Sequence, residues 1–247
     1  MKSLYIFYSV ARSGSTPIAA ILGRYLDEFH DFTYLNEYFN YNFTGLTFGA
    51  EKIQANHSSF IPIDPSFSEK TMSQIAKKRL GQLLSQIPNS NQRYSLKVFP
   101  TIHRLIGSSY ELLRPHAKVI FIRRRDVFDH LLSYLLSFSS FRFYEKKGLS
   151  FKKNSVLASE SDFQNFTISV AILLHQMSLQ HRPKAVFYED FLEGGAQLVV
   201  KRTGLQKELD WREIDLPKKQ TSINKLELFS NAEQIVSWYR NSSLSKL

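Results

Sequence analysis

The feature that most constrains this chain is a junction near its N-terminus, where an apolar run meets a short polar turn and then a helical repeat. Residues 4–10 (LYIFYSV) are almost entirely apolar, aromatic or β-branched, the pattern of a strand buried on both faces of a parallel sheet. Arg12-Ser13-Gly14-Ser15-Thr16-Pro17 breaks that pattern, and Ile18, Ala19, Ile21, Leu22 and Leu26 then recur at helical spacing. Pro17 falls in a first helical turn, where a missing N–H is tolerated. Strand, tight polar turn and helix in direct succession point to a layered α/β fold.

The rest of the sequence repeats the alternation. Residues 70–87 carry an apolar stripe (Met72, Ile75, Ala76, Leu80, Leu83, Leu84, Ile87) with Lys77, Lys78 and Arg79 away from it. Strands are expected at 94–99, 118–122 and 184–188. Helices are expected at 102–113, 126–138 (Asp126 as N-cap), 163–180, 192–203 (ended by Gly204) and near 231–239. Residues 27–68 are irregular, and 139–160 read as a basic, aromatic surface loop or lid. The expectation is one domain over 1–247, with a central parallel sheet covered by helices on both faces.

Composition limits the chemistry. With 32 Lys and Arg against 22 Asp and Glu, the formal net charge is +10, which favours an anionic partner. The sequence has no Cys, so disulfides, zinc-thiolate sites, iron–sulfur clusters and thiol nucleophiles are excluded. The seven His never recur at i, i+4, and no metal is expected. No run approaches the roughly 18 apolar residues of a membrane span. The N-terminal run is barely long enough for a signal-peptide core and enters the polar turn directly, so the expected location is the cytoplasm.

Two segments carry the functional signal. In the first, the turn at 11–16 directs backbone N–H groups toward one point at a helix N-terminus, which is an arrangement suited to anions. Gly14 permits close backbone approach, Arg12 offers a forked set of donors, and Ser15 and Thr16 supply hydroxyls. A serine-capped strand-to-helix loop is the plain alternative. The turn lacks the Gly-Lys pair of G-x-x-x-x-G-K-[ST], and no magnesium-holding Asp ends an apolar strand. In the second segment, Arg123-Arg124-Arg125 ends the third of these strands, where ligands bind in open α/β sheets. Ser133 follows two helical turns later and can meet Arg125 around one phosphate, while Arg123 and Arg124 read as solvated or supporting.

Ala11-Arg12-Ser13-Gly14-Ser15-Thr16 resembles the phosphosulfate loop, roughly P-[KR]-[ST]-G-[ST]-[ST], of the sulfotransferases that use 3′-phosphoadenylyl sulfate (PAPS). Arg125 through Ser133-Tyr134 resembles that family's R-[ND]-P-x-D-x-x-x-S-Y segment, with Asp129 in register and Val127 in place of the proline. Tyr188-Glu189-Asp190-Phe191 resembles its Y-E-D-L unit, and Lys218-Lys219-Gln220 its basic C-terminal segment, in the bacterial, carbohydrate-directed branch. The resemblance implies a P-loop-like three-layer fold and sulfuryl transfer from PAPS to a hydroxyl, leaving adenosine 3′,5′-bisphosphate (PAP). It implies that Arg12, Ser13, Gly14, Ser15, Thr16 and Lys97 hold the sulfate and 5′-phosphate, and Arg125 and Ser133 the 3′-phosphate. Lys218, Lys219 and Gln220 would close over the nucleotide.

Phe99 stands where the cytosolic enzymes carry a catalytic His, so the base must come from elsewhere. Asn36-Glu37-Tyr38-Phe39 resembles the G-E-x-F-like stretch of bacterial members that lack the histidine, with Asn36 for the glycine. The resemblance implies Glu37 as the leading candidate, with His103 and His57 behind it; His130 reads as a helix-surface residue. The implied acceptor is a small molecule or glycan with a free hydroxyl. The competing readings are a P-loop-like nucleotide kinase or hydrolase, which needs the missing Lys and acid, and a basic nucleic-acid-binding domain, which lacks a recognisable module.

Overall fold

The computed structural model describes residues 3–30, 32–35, 38–39, 68–87, 93–140, 153–205 and 224–247. β1 (Leu4–Ser9) is buried at every position. It feeds α1 (Ser15–His30), and the chain continues through β2 (Phe32–Tyr34), α2 (Glu69–Gln86), β3 (Arg93–Val98), α3 (Pro100–Ile106) and a 3₁₀ turn, Gly107–Leu113. Then come β4 (Ala117–Arg123), α4 (Val127–Ser140), α5 (Glu160–Ser178), β5 (Lys184–Phe187) and α6 (Tyr188–Thr203). A 3₁₀ turn at Lys225–Leu228, α7 (Ala232–Arg240) and a last turn at Ser243–Lys246 complete it.

The five strands lie in the order β2-β3-β1-β4-β5, and every described pairing is parallel. Because successive side chains alternate faces, β1 contributes to two cores. Leu4, Ile6 and Tyr8 join Leu96, Val98 and Phe121 and the inward residues of α2 to α5. Tyr5 and Phe7 join Ile120 and Ile122 and the apolar faces of α1 and α6. The result is three layers, with β1 as the hinge of both cores; a side chain such as Phe7, fully enclosed, contributes about 1.5–3 kcal/mol by burial.

The departures from the sequence reading have local causes. β2 was expected to be irregular; it is three residues long and is held at the sheet edge by pairing Phe32 with Arg93. α1 runs on to His30, past the last periodic leucine. The helix expected at 102–113 is α3 followed by a 3₁₀ stretch, the change falling at Gly107 with φ +57°. Tyr188, placed by sequence at the end of a strand, instead opens α6, whose first turn is held by the Asp190 carboxylate accepting from the Phe187 N–H (3.0 Å). Gly204 ends α6 in the left-handed conformation, as expected. Asp126 caps α4 by accepting from the Asp129 N–H (2.8 Å). Among the described residues no helix is long and apolar enough to cross a membrane.

Parallel strands bring their carboxyl ends to one edge. Tyr8 pairs with Val98 and Phe121, Ser9 with Ile122, and Arg123 with Phe187. The turns after β1, β3, β4 and β5 therefore share one rim. The chain leaves β1 toward β2 on one side and β4 toward β5 on the other, which makes this rim a topological switch point.

Candidate functional site

The turn after β1 reverses the chain through two left-handed residues, Arg12 (φ +65°) and Gly14 (φ +78°). For Arg12 that conformation costs about 1–2 kcal/mol, so neighbouring contacts must hold it. The Ser13 N–H donates to the Val10 carbonyl at 3.3 Å. Ser13 is fully enclosed and its Oγ has no hydrogen-bond partner in the structure, while Ser15 is also buried. A buried, unsatisfied hydroxyl carries a penalty of about 1–3 kcal/mol, which an anion accepting from it would relieve.

Lys97 comes from β3, opposite Phe7, and is 2% exposed. Its Nζ donates to Thr16 Oγ1 at 3.1 Å, in the first turn of α1, and lies 5.0 Å from the centre of the Phe99 ring. A buried ammonium at the end of an anion-suited loop fits a ligand carrying phosphate or sulfate oxygens. Phe99, where a histidine base was missed in the sequence, is thus an apolar face on the lysine.

At the end of β4 the three arginines separate. The period of two that puts Ile120 and Ile122 against α1 and α6 continues to Arg124, whose guanidinium lies 4.7 Å from the Tyr188 ring centre. Arg124 bonds the Asp129 carboxylate and donates to Ser133 Oγ at 3.4 Å. Arg125 turns toward α6: its N–H donates to Glu189 (3.0 Å), and its guanidinium pairs with Asp190 and with Glu193 (3.0 Å). Half-buried Arg123 lies over Phe187, and desolvation lowers its pKa. The structure therefore brings Ser133 to Arg124, and holds Arg125 among carboxylates.

Asp129 also binds Lys225, which follows the basic segment in sequence. Burial pushes the Asp129 carboxyl upward, but the hydrogen bonds and charges of Lys225 and Arg124 together outweigh it and hold it below the ordinary carboxylate range. Tyr188 joins the two clusters. A Cβ on Gly14 would sit 2.0 Å from its Cδ2, so the ring lies flush on the loop, and its face carries Arg124. Gly14's open face, expected to admit an anion, is covered by this ring.

Glu37, Lys218, Lys219, Gln220 and His57 lie outside the described residues. Next to Glu37 in sequence, Tyr38 and Phe39 are buried, and Arg79 donates to the Tyr38 carbonyl at 2.8 Å. His103 packs on Tyr110 (4.7 Å between ring centres) and its pKa is lowered, first by burial. His130 corrects the reading of a surface residue: it is 6% exposed, because residues 130–137 of α4 are buried on all sides. The near-continuous apolar run around it was the available signal. Arg124, read from sequence as solvated or supporting, Tyr188, read only within the Y-E-D-L-like unit, and His130 are rim residues that had no binding role in the sequence reading. Among the described residues, no group of three His, Asp or Glu could hold a metal ion.

Fold and rim together define a three-layer α/β protein with cationic and hydroxyl side chains gathered at the carboxyl edge of its sheet. No protein-family profile matches the chain, and no characterised protein matches it in sequence. Among solved structures it is similar to retinol dehydratase in complex with retinol and PAP, at 13% identity and a TM-score of 0.40, over 98% of this chain and 67% of that one. A likeness of this size carries no chemistry, which has to come from the side chains.

Proposed function

We propose that this protein is a sulfotransferase that moves a sulfuryl group from PAPS to a hydroxyl of an acceptor. The observation that carries the reading is the bridge at the rim: Tyr188 touches Gly14 of the loop and Arg124 of the arginine–serine cluster, so one ring joins the loop to that cluster. A nucleotide with phosphates at both its 5′ and 3′ positions has charges placed for such a pair.

The residues fit that ligand. Ser13 offers a hydroxyl without a partner, and Lys97 and Thr16 stand at the helix N-terminus. Bound PAPS supplies an activated sulfuryl group on its 5′-phosphate. Arg12, the N–H groups of 13–16 and Lys97 neutralise charge on the sulfate and the 5′-phosphate. Ser133, with Arg124 beside it, holds the 3′-phosphate; Arg125 joins by exchanging Glu193 for phosphate oxygens. Glu37 takes the proton of the acceptor hydroxyl. Lys218, Lys219 and Gln220 close over the nucleotide. The acceptor is a small molecule or glycan, and a sugar hydroxyl is the first class to try.

Calorimetry tests the reading. PAP should bind in the micromolar range without magnesium, and ATP more weakly. Transfer of labelled sulfate from PAPS to a panel of hydroxyl acceptors should follow, and should fall in Glu37→Gln. Equal affinity for PAP and ATP, or a magnesium requirement, would overturn it.

A further inference from the structure

We propose that His130 is a positioning residue that fixes the loop after β1 to helix α4, and so sets the spacing between the two cationic clusters. The inference deepens the sulfotransferase reading and rests on it. His130 Nε2 lies 2.8 Å from the Ala11 carbonyl oxygen. A carbonyl only accepts, so Nε2 carries the proton and donates. Ala11 immediately precedes Arg12, whose left-handed backbone needs an external hold. The Ser13-to-Val10 hydrogen bond at 3.3 Å is a long one for that task.

The imidazole is itself immobilised. Its ring meets Phe166 of α5 edge-on at 4.9 Å, and burial drives its pKa down to about 3, so the ring stays neutral, while the Ala11 carbonyl selects the tautomer that donates from Nε2. One turn further along α4, Ser133 receives Arg124. Positions i and i+3 share a helix face, so one rigid helix touches both clusters, His130 at the loop and Ser133 at the arginine. No other described side chain donates to Ala11.

The test uses the whole chain with PAP as the probe. Wild type, His130→Leu and His130→Gln are compared by calorimetry and thermal melting, and the tautomer of His130 is read by long-range ¹⁵N NMR on wild type. The expectation is about tenfold weaker PAP binding for His130→Leu, the loss associated with one hydrogen bond that orders a site. His130→Gln, which keeps a side-chain N–H, recovers most of it. A merely structural role would lower the melting temperature of both variants and leave their PAP affinities equal to wild type. NMR should show a proton on Nε2 and a shift of that signal on adding PAP. Wild-type affinity in a folded His130→Leu, or a proton on Nδ1 alone, overturns the proposal. If His130→Leu does not fold, His130→Gln and the tautomer decide. If wild type fails to bind PAP, the sulfotransferase reading fails, and the tautomer still reports whether His130 holds Ala11.

Discussion

The two cationic clusters at the rim are built on opposite principles. The loop after β1 is shaped chiefly by its backbone, with two left-handed residues and a helix N-terminus, beside which stand a buried serine hydroxyl without a partner and one enclosed lysine. The cluster after β4 consists of side chains already matched to carboxylates, Arg124 to Asp129 and Arg125 to Asp190 and Glu193. The first is held in place by the fold, with Lys97 bonded to Thr16 and the Tyr188 ring lying over Gly14. The second is charge-balanced, so an anion must displace or join an existing partner. On the proposed function a division of labour is expected: the loop would act on charge that develops during sulfuryl transfer, and the β4 cluster on charge present throughout.

The largest effect expected from that division is at Lys97. Lys97→Met removes a donor aimed at the loop and should lower kcat for sulfate transfer by about 10²–10³-fold, with a smaller change in KM for PAPS. Stability should be unchanged or slightly higher, because an apolar isostere replaces a buried cation. Wild-type kcat in Lys97→Met, measured with labelled PAPS, would remove the loop from the chemistry and erase the contrast.

Next in size is Gly14→Ala, which strikes the contact joining the clusters. An alanine meets both a φ of +78° and the Tyr188 ring 2.0 Å away. Together these should cost at least about 2 kcal/mol in chemical denaturation. Adding Tyr188→Ala to Gly14→Ala should recover the steric part. No recovery in the double variant would show that backbone strain alone is at work, and the two clusters would then not communicate through the ring.

The same contrast governs what the sequence made legible. The loop could be read because its determinants are contiguous: an uninterrupted apolar run, a glycine–serine turn, and a helix with its own period. β3, β4 and α2 were legible for the same reason. The β4 cluster was legible only in part: Asp129 and Ser133 lie in the same segment, but Tyr188, Asp190, Glu193 and Lys225 come from elsewhere. Arg124 rather than Arg125 meets Ser133 because strand alternation persists past Arg123, and because Tyr188, after β5, provides a ring for it. β2 escaped because three residues make no pattern and pairing with β3 alone defines them. His130 was misplaced because a polar residue in a helix suggests an outer face, whereas α4 has none over 130–137. Glu37 and the 218–220 segment, known only by resemblance, lie outside the described residues.

A pH experiment sharpens the comparison further. His130 titrates near 3 when folded and near 6.5 when unfolded, so between these values the unfolded chain binds the additional proton. Stability from this group is therefore fully present above pH 6.5 and declines as the pH falls toward 3. From pH 7 to pH 5 the loss should be about 2 kcal/mol, and any native pKa well below 5 gives the same figure. Asp129 has the opposite kind of site but the same sign, since its pKa, held below the ordinary carboxylate range by Lys225 and Arg124, keeps it ionised throughout this range. Over pH 7 to 5, then, the decline comes from His130, with His103 adding in the same direction through its own lowered pKa, and not from the β4 cluster. Denaturation curves of His130→Gln should lack the His130 part of that loss. A wild-type curve that is flat over this range would mean the imidazole is not enclosed as described.

The smallest expected effect is also the most discriminating, because it separates two adjacent arginines. Arg124 bonds Ser133, and its removal leaves Asp129 still paired with Lys225. Arg124→Ala should therefore weaken PAP binding by about tenfold, through a lost charge-assisted contact, while stability changes little. Arg125 neutralises Asp190, which is 1% exposed and otherwise has Arg202 at 3.7 Å. Arg125→Ala should consequently lower stability more than Arg124→Ala does, because a buried carboxylate loses its nearer cation. Its effect on PAP affinity should be the smaller of the two, since the side chain must first leave Glu193 and Asp190. Calorimetry and denaturation on both variants give a two-by-two outcome. If Arg125→Ala instead carries the larger loss in affinity, the exchange of Glu193 for phosphate at Arg125 outweighs the Arg124–Ser133 contact, and the β4 cluster is chiefly a rearranging site rather than a charge-balanced support.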